Sequence, residues 1–183
     1  MNWYEKGPFV IFDLETTGFS PVKEAIVEIA AIRIETDGNL RYLDSMVNPE
    51  KKIPPHASRI HGIHQKDVEK APSFKDVGTK FLNFSEASTL VAHNAKFDLS
   101  FLQESLNKYN LPLWRGNTMD SIPIIKLAFP ELPNYNLQFL RKYFDLVKKT
   151  DDQAHRALAD AKWTLEIFAM AMQRLIDAEI QND

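Results

Sequence analysis

Three short segments of the chain each place acidic or titratable side chains directly beside residues that should be buried. They span residues 12–18, 93–98 and 155–160. Their functional groups are four carboxylates and one imidazole: Asp13, Glu15, Asp98, Asp160 and His155. Carboxylates gathered in one cleft repel one another, and a bound divalent cation is the simplest way for a fold to tolerate them. The first hypothesis is therefore metal-assisted chemistry on an anion.

The apolar patterns predict strands first and then helices alternating with strands. Runs at 9–12, 25–34 and 40–47 are typical of strands, and the turn at 36–39 predicts an antiparallel meander. Pro49, Pro54 and Pro55 break the strand pattern, and the stretch 51–72 is interpreted as loop with at most one short helix.

Further along, the spacing of apolar residues predicts helices and two more strands. Ser73 can act as the N-cap of a helix that starts there. Other helices are expected at 97–109, 122–128 and 137–144, and a long last helix carries apolar residues from 158 to 175. Short strands are expected at 89–92 and 118–120. This order predicts an α/β fold with a five-stranded sheet flanked by helices.

Composition limits the class of protein. A chain of 183 residues that is 44% hydrophobic predicts a single domain over 1–183. The chain has no cysteine, which excludes disulfides, thiolate zinc sites and cysteine nucleophiles. No apolar run approaches the roughly 20 residues that span a bilayer, so we expect no membrane partner and a cytoplasmic location. The net charge of −3 argues against a general duplex-coating protein.

Asp13 and Glu15 are two residues apart at the end of an apolar run. In a strand, residues at that spacing point to the same face, so the two carboxylates lie side by side. No lysine or arginine lies within six residues of either one. Hard oxygen ligands favour Mg²⁺ or Mn²⁺. A strand end that turns into solvent is the alternative interpretation.

The other two segments have similar alternatives. Asp98 lies near a helix start, where a carboxylate also stabilises the helix dipole. His155 and Asp160 are about 140° apart on a continuous helix, so both reach one site only if His155 lies ahead of the helix or in its first turn. Beside metal carboxylates, a histidine is suited to act as a general base on water.

Together, the strings FDLETTG, HNAKFD and HRALADA, in that order, resemble the three motifs of the DEDDh, or DnaQ-like, 3′-to-5′ exonucleases. The proofreading epsilon subunit of bacterial DNA polymerase III is the best-known member. The resemblance runs from about residue 9 to 171. It implies a ribonuclease-H-like fold with a mixed sheet, and hydrolysis of terminal phosphodiesters with two Mg²⁺ or Mn²⁺ ions per site.

The resemblance also implies roles for individual residues. Asp13, Glu15 and Asp160 would hold one metal, Asp13 would bridge to the second, and Asp98 would complete the site. His155 would deprotonate the attacking water. Five residues would contact the terminal nucleotide: Ile60, His61 and Phe97 at the base and sugar, and Thr16 and Gly18 near the 3′ hydroxyl. His64 and Asn136 depart from residues common in the family, and they bear on substrate preference.

The expected function is a stand-alone exonuclease that releases nucleoside monophosphates from single-stranded or frayed 3′ ends, with DNA as the expected substrate. An RNA-trimming or oligoribonuclease-like enzyme is the alternative within the same chemistry. A non-catalytic, polymerase-associated binding module is the alternative from another class. The chain ends about 20 residues after Asp160, without room for a polymerase-binding tail. Oligomeric state, processivity and cellular pathway stay open at this point.

Overall fold

A computed structural model describes residues 1–146 and 156–182 of the chain. Its centre is a five-stranded sheet in the order β3-β2-β1-β4-β5. The strands are β1 (Phe9–Thr16), β2 (Ile26–Ile34), β3 (Leu40–Met46), β4 (Thr89–Ala92) and β5 (Thr118–Asp120). The first three pair antiparallel, and β4 and β5 run parallel to β1. The predicted mixed five-stranded sheet is confirmed.

A short 3-10 helix (Trp3–Lys6) precedes the sheet, and the described residues form seven α-helices that flank it. They are α1 (Pro55–His61), α2 (Gln65–Val68), α3 (Phe74–Phe84), α4 (Ala95–Lys108), α5 (Ser121–Ala128), α6 (Leu137–Tyr143) and α7 (Ala157–Asn182). The helix start at Ser73 is confirmed, because its hydroxyl accepts a hydrogen bond from the Asp76 amide at 3.3 Å.

The stretch 51–72 differs from the expectation, since it forms the two short helices α1 and α2. The prolines that were interpreted as breakers help to build α1: Pro54 is extended and Pro55 occupies the first helical turn, where its missing N–H is not needed. Gly62 ends that helix in the left-handed conformation, with φ of 72°.

The alternation of side chains along β1 decides which side of the sheet receives the acids. Val10, Phe12 and Leu14 pack in one cluster with residues of α3 and α4. Phe9 and Ile11 point to the opposite face, where they pack with Ala161 and Phe168 of α7. Asp13 and Glu15 continue this second series and therefore point toward the α7 side of the sheet.

The two strands that pair with β1 differ in length, so one edge of β1 has no described strand neighbour along its last residues. On one side β2 pairs with β1 along its whole length, from Phe9 to Thr16. On the other side β4 pairs only with Phe9 to Ile11. The last part of β1 therefore has no strand neighbour on that side within the described residues.

Within residues 1–146 and 156–182, none of the helices has the length and apolar character that a membrane span requires.

Candidate active site

Three carboxylates meet where β1 leaves the apolar core. Oxygen atoms of Asp13, Glu15 and Asp160 all lie within 4.8 Å of one another. Two of these residues come from β1, and Asp160 comes from the first turn of α7, where its amide donates to the Arg156 carbonyl at 3.0 Å. Packing α7 on the sheet thus brings together acids that are far apart in sequence.

Asp98 adjoins this trio from the side of α4. Its Oδ1 accepts a hydrogen bond from the Leu14 amide at 3.2 Å, and its side chain is buried. Leu14 lies between the two acids of β1, in the part of the strand that β4 does not cover. The four predicted carboxylates therefore lie in one neighbourhood, with Asp98 beside the trio.

Burial and mutual repulsion raise the pKa values of these acids. Burial raises the pKa of Glu15 to about 9, and the charges of Asp160 and Glu28 add to the effect. Burial likewise raises the pKa of Asp98 to about 8. For Asp13, burial and then the charges of Asp98 and Asp160 raise the pKa well above its usual value. Such a cluster of hard oxygen atoms fits a divalent metal ion, which would neutralise these charges.

A salt bridge that the sequence analysis missed fixes the start of α7. Glu28 of β2 is only 2% exposed and lies directly opposite Glu15 in the β1–β2 pair. Its carboxylate accepts hydrogen bonds from Arg156 Nη2 at 2.7 Å and from the Ala157 amide at 2.9 Å. Asp160 follows one turn later. The signal available in the sequence was a lone acid inside the apolar run of β2.

A cavity of about 150 Å³ lies against Glu15. Its lining includes all five residues that were expected to contact a terminal nucleotide: Thr16, Gly18, Ile60, His61 and Phe97. Phe19 also lines this cavity, although the sequence analysis missed it. The Phe19 side chain is 77% exposed, and its ring centroid is 6.5 Å from that of Phe97. We call this space the small cavity.

Polar groups in the small cavity are held in defined orientations. The Thr16 hydroxyl donates to the Gly18 carbonyl at 2.6 Å. His61 Nδ1 accepts from the Ile63 amide at 3.0 Å, which places the ring proton on Nε2. That Nε2 has no partner with hydrogen-bond geometry among the described residues. Burial lowers the pKa of His61, and the polar backbone of Thr16 raises it by a smaller amount.

A second cavity, of about 730 Å³, lies against Asp13 and Asp160. We call it the large cavity. Its other lining residues are mostly polar: His93, Asn94, Ile122, Lys126, Pro133, Asn134, Tyr135, Asn136, Leu137 and Gln138.

His93 is fixed within the wall of the large cavity. Its Nε2 lies 2.8 Å from the Tyr135 carbonyl, which can only accept, so Nε2 carries the proton. Its Nδ1 lies 2.8 Å from the Ser121 hydroxyl and accepts from it. Burial lowers the pKa of His93. The ring is therefore neutral, and both of its nitrogens are engaged in holding neighbouring segments together. His155 lies outside the described residues, and its role stays a prediction.

Comparison with known proteins places the chain in a family. The model of the exonuclease family RNase_T matches residues 10–168. The chain belongs to this exonuclease family. The family confirms the resemblance drawn from the three motifs.

Among curated proteins, this exonuclease-family chain is 35% identical to the PolC-type DNA polymerase III of Caldanaerobacter subterraneus subsp. tengcongensis, over 97% of the chain but 12% of that protein. It is 33% identical to the 3′-5′ exonuclease DinG of Bacillus subtilis, over 93% of the chain and 18% of that protein. It is 32% identical to the DNA polymerase III subunit epsilon of Treponema pallidum, over 90% of the chain and 76% of that protein. The chain thus spans a small part of the first two relatives.

Solved structures share the fold. E. coli exonuclease I in complex with a dT13 oligonucleotide matches with a TM-score of 0.78 and 20% identity, over 93% of this chain and 42% of that one. Exonuclease X in complex with 5′ overhanging duplex DNA matches with a TM-score of 0.66 and 26% identity, over 93% of each chain. These matches confirm the ribonuclease-H-like architecture that the resemblance implied.

Replacing Glu28 tests how α7 is positioned. Glu28→Gln removes the charge that pairs with Arg156, so we expect the free energy of unfolding to fall by about 2–4 kcal/mol. We also expect turnover per folded molecule to fall, because Asp160 loses its fixed position. Urea unfolding and exonuclease turnover on the same samples measure both effects.

Glu35→Gln is the matched control for this variant. Glu35 pairs with Arg33 at 2.6 Å near the opposite end of β2, away from the carboxylates. This variant should lose stability and keep its turnover. Equal losses of turnover in both variants would contradict a positioning role for Glu28.

Glu15→Gln tests the repulsion among the buried acids. The pKa of Glu15 is raised in the folded chain, so its contribution to stability is present at low pH and is lost as the pH rises to about 9. In the presence of a chelator, the wild-type protein and Glu15→Gln should have similar free energies of unfolding at about pH 5. At about pH 9 the variant should be more stable by at least about 1 kcal/mol. Thermal unfolding across this range measures the difference, and parallel curves would refute it.

Proposed function

We propose that this chain is a metal-dependent 3′-to-5′ exonuclease domain, spanning 1–183, that releases nucleoside monophosphates from single-stranded or frayed DNA ends. The observation that carries the proposal is the carboxylate cluster of Asp13, Glu15 and Asp160, of which Glu15 also lines the small cavity. The cluster supplies ligands for metal beside a space suited to one terminal residue of a polymer. The name of the matching family and that of the relative DinG, both exonuclease, support the same activity.

The proposed cofactor is a pair of Mg²⁺ or Mn²⁺ ions. Asp13, Glu15 and Asp160 would hold one ion, Asp13 would be shared with the second, and Asp98 would complete the set. When bound, the ions would supply positive charge that stabilises the attacking hydroxide and the leaving 3′ oxygen. The all-oxygen ligand set supports this choice of hard cations.

The small cavity is the proposed site of the terminal nucleotide. Phe97, Ile60 and the exposed ring of Phe19 offer apolar surfaces on which a base can stack, and stacking accepts every base. His61 would contact the base or sugar, which its place in the lining of the small cavity supports. Thr16 and Gly18 would contact the 3′ hydroxyl, and their place in the lining of the small cavity supports this role.

DNA is the proposed substrate, and the cytoplasm is the proposed location. Two of the similar solved structures are named as complexes with DNA, a dT13 oligonucleotide and an overhanging duplex. Relatives named as DNA polymerase III proteins make a polymerase the first partner to test.

Metal-dependent release of monophosphates tests the proposal directly. With Mn²⁺, the wild-type chain should release nucleoside monophosphates from labelled single-stranded DNA, and Asp13→Asn should lower the rate by at least about 10²-fold because a shared metal ligand loses its charge. Chelation should abolish the wild-type rate. Faster hydrolysis of the matching RNA would favour the RNA-trimming alternative. Nucleic-acid binding with equally slow release by both proteins would favour the binding module.

His155 is the proposed general base. The engagement of both nitrogens of His93 supports this assignment, because that ring is not available to take a proton. His155→Ala should lower turnover by about 10²-fold or more while metal-induced thermal stabilisation is retained. The wild-type rate should rise with pH between about 5.5 and 7.5, and the variant should lose this rise. Unchanged turnover would remove His155 from the mechanism.

A further inference from the structure

The carboxylate cluster lies between two cavities of unequal size. Glu15 lines the small cavity of about 150 Å³, and Asp13 and Asp160 line the large cavity of about 730 Å³. A bond that is cut at the cluster must leave one product on each side. If the small cavity holds the terminal nucleotide, as proposed above, the rest of the polynucleotide leaves the cluster through the large cavity.

The two cavities also differ in the chemistry of their linings. Aromatic and aliphatic side chains dominate around the small cavity. The large cavity is surrounded by the side-chain amides Asn94, Asn134, Asn136 and Gln138. Among its described lining residues, Lys126 is the one lysine or arginine, and Asp13 and Asp160 line the same cavity. A sugar-phosphate chain in the large cavity carries negative charge of its own, and a lysine in the lining can pair with it.

Lys126 is held in place by an aromatic ring and not by an acid. It lies in the last turn of α5, and its Nζ is 5.4 Å from the centroid of the Tyr135 ring. No carboxylate pairs with Lys126 in the described ranges 1–146 and 156–182. The ammonium group is therefore available to an external anion.

Tyr135 is itself fixed on both sides. Its hydroxyl donates to the Phe129 carbonyl at 2.7 Å, and its own carbonyl accepts from His93 Nε2. The Tyr135 ring that Lys126 contacts is thus linked to His93, which follows β4 and lines the same cavity.

We propose that the large cavity binds the internucleotide phosphate immediately upstream of the bond that is cut, and that Lys126 is the charged contact of that phosphate. This inference rests on the proposed exonuclease function and extends it to a second subsite. The ligand is a phosphodiester or phosphate monoester oxygen of the penultimate nucleotide. A solvated lysine that only complements the dipole of α5 is the competing interpretation.

Three small substrates separate this subsite from the reaction itself. The p-nitrophenyl ester of thymidine 5′-monophosphate carries the bond to be cut and no upstream nucleotide. The unphosphorylated thymidine dinucleotide adds the penultimate nucleoside. The 5′-phosphorylated dinucleotide adds the upstream phosphate. Wild-type turnover of the p-nitrophenyl ester and of the unphosphorylated dinucleotide tests the exonuclease function without the proposed phosphate subsite.

We expect the wild-type protein to have a lower KM for the dinucleotide that carries the 5′-phosphate than for the one that lacks it. Lys126→Ala should raise KM for the phosphorylated dinucleotide by about 10-fold or more, as for loss of a charged hydrogen bond. It should leave KM and kcat for the other two substrates unchanged. Lys126→Arg should restore most of the preference. Lys75→Ala, which removes an exposed lysine of α3, is the control for net charge.

The outcomes are separable. An equal effect of Lys126→Ala on all three substrates would overturn the assignment, because the lysine would then act on the reacting nucleotide. No effect on any substrate would show a solvated lysine and would also overturn it. Wild-type protein that hydrolyses none of the substrates would refute the exonuclease function, and this inference with it. Thermal unfolding of each variant confirms that the comparison is between folded proteins.

Discussion

The repulsion among buried carboxylates is the constraint on which the rest of this structure depends. Asp13, Glu15 and Asp160 are held within 4.8 Å of one another, although each would be more stable apart and in water. The apolar contacts of β1 with α3 and α4 on one face, and with α7 on the other, oppose this repulsion. The core thus maintains a site of high negative charge that a metal ion can occupy.

The placement of positive charge is consistent with that role. Arg156 lies close enough to lower the pKa of Glu15 slightly, yet its guanidinium binds Glu28. The cation therefore fixes the start of α7 and leaves the trio of acids unneutralised. Lys126 is held by Tyr135 at the border of the large cavity. Each of these two cations has a partner outside the trio.

The sequence predicts those parts of the site that follow from local periodicity. The alternation along β1 predicts that Asp13 and Glu15 share a face, and the apolar spacing of α7 predicts the helix that carries Asp160. The pairing of Glu28 with Arg156 spans 128 positions, and no local pattern indicates it. No local pattern indicates the contact of Lys126 with the Tyr135 ring either, because this contact depends on the conformation of the loop before α6. The stretch 51–72 forms two short helices where at most one was expected, because Pro54 and Pro55 serve as the start of α1.

The hydrogen bond from the Leu14 amide to Asp98 has a consequence for variants of this acid. Beyond Ile11, β1 has no pairing with β4, and Asp98 is the acceptor for the buried Leu14 amide there. Replacing Asp98 by an apolar residue therefore leaves a buried backbone amide without its acceptor as well as removing a carboxylate. A loss of activity in such a variant includes any loss of folded protein, so turnover has to be measured per folded molecule.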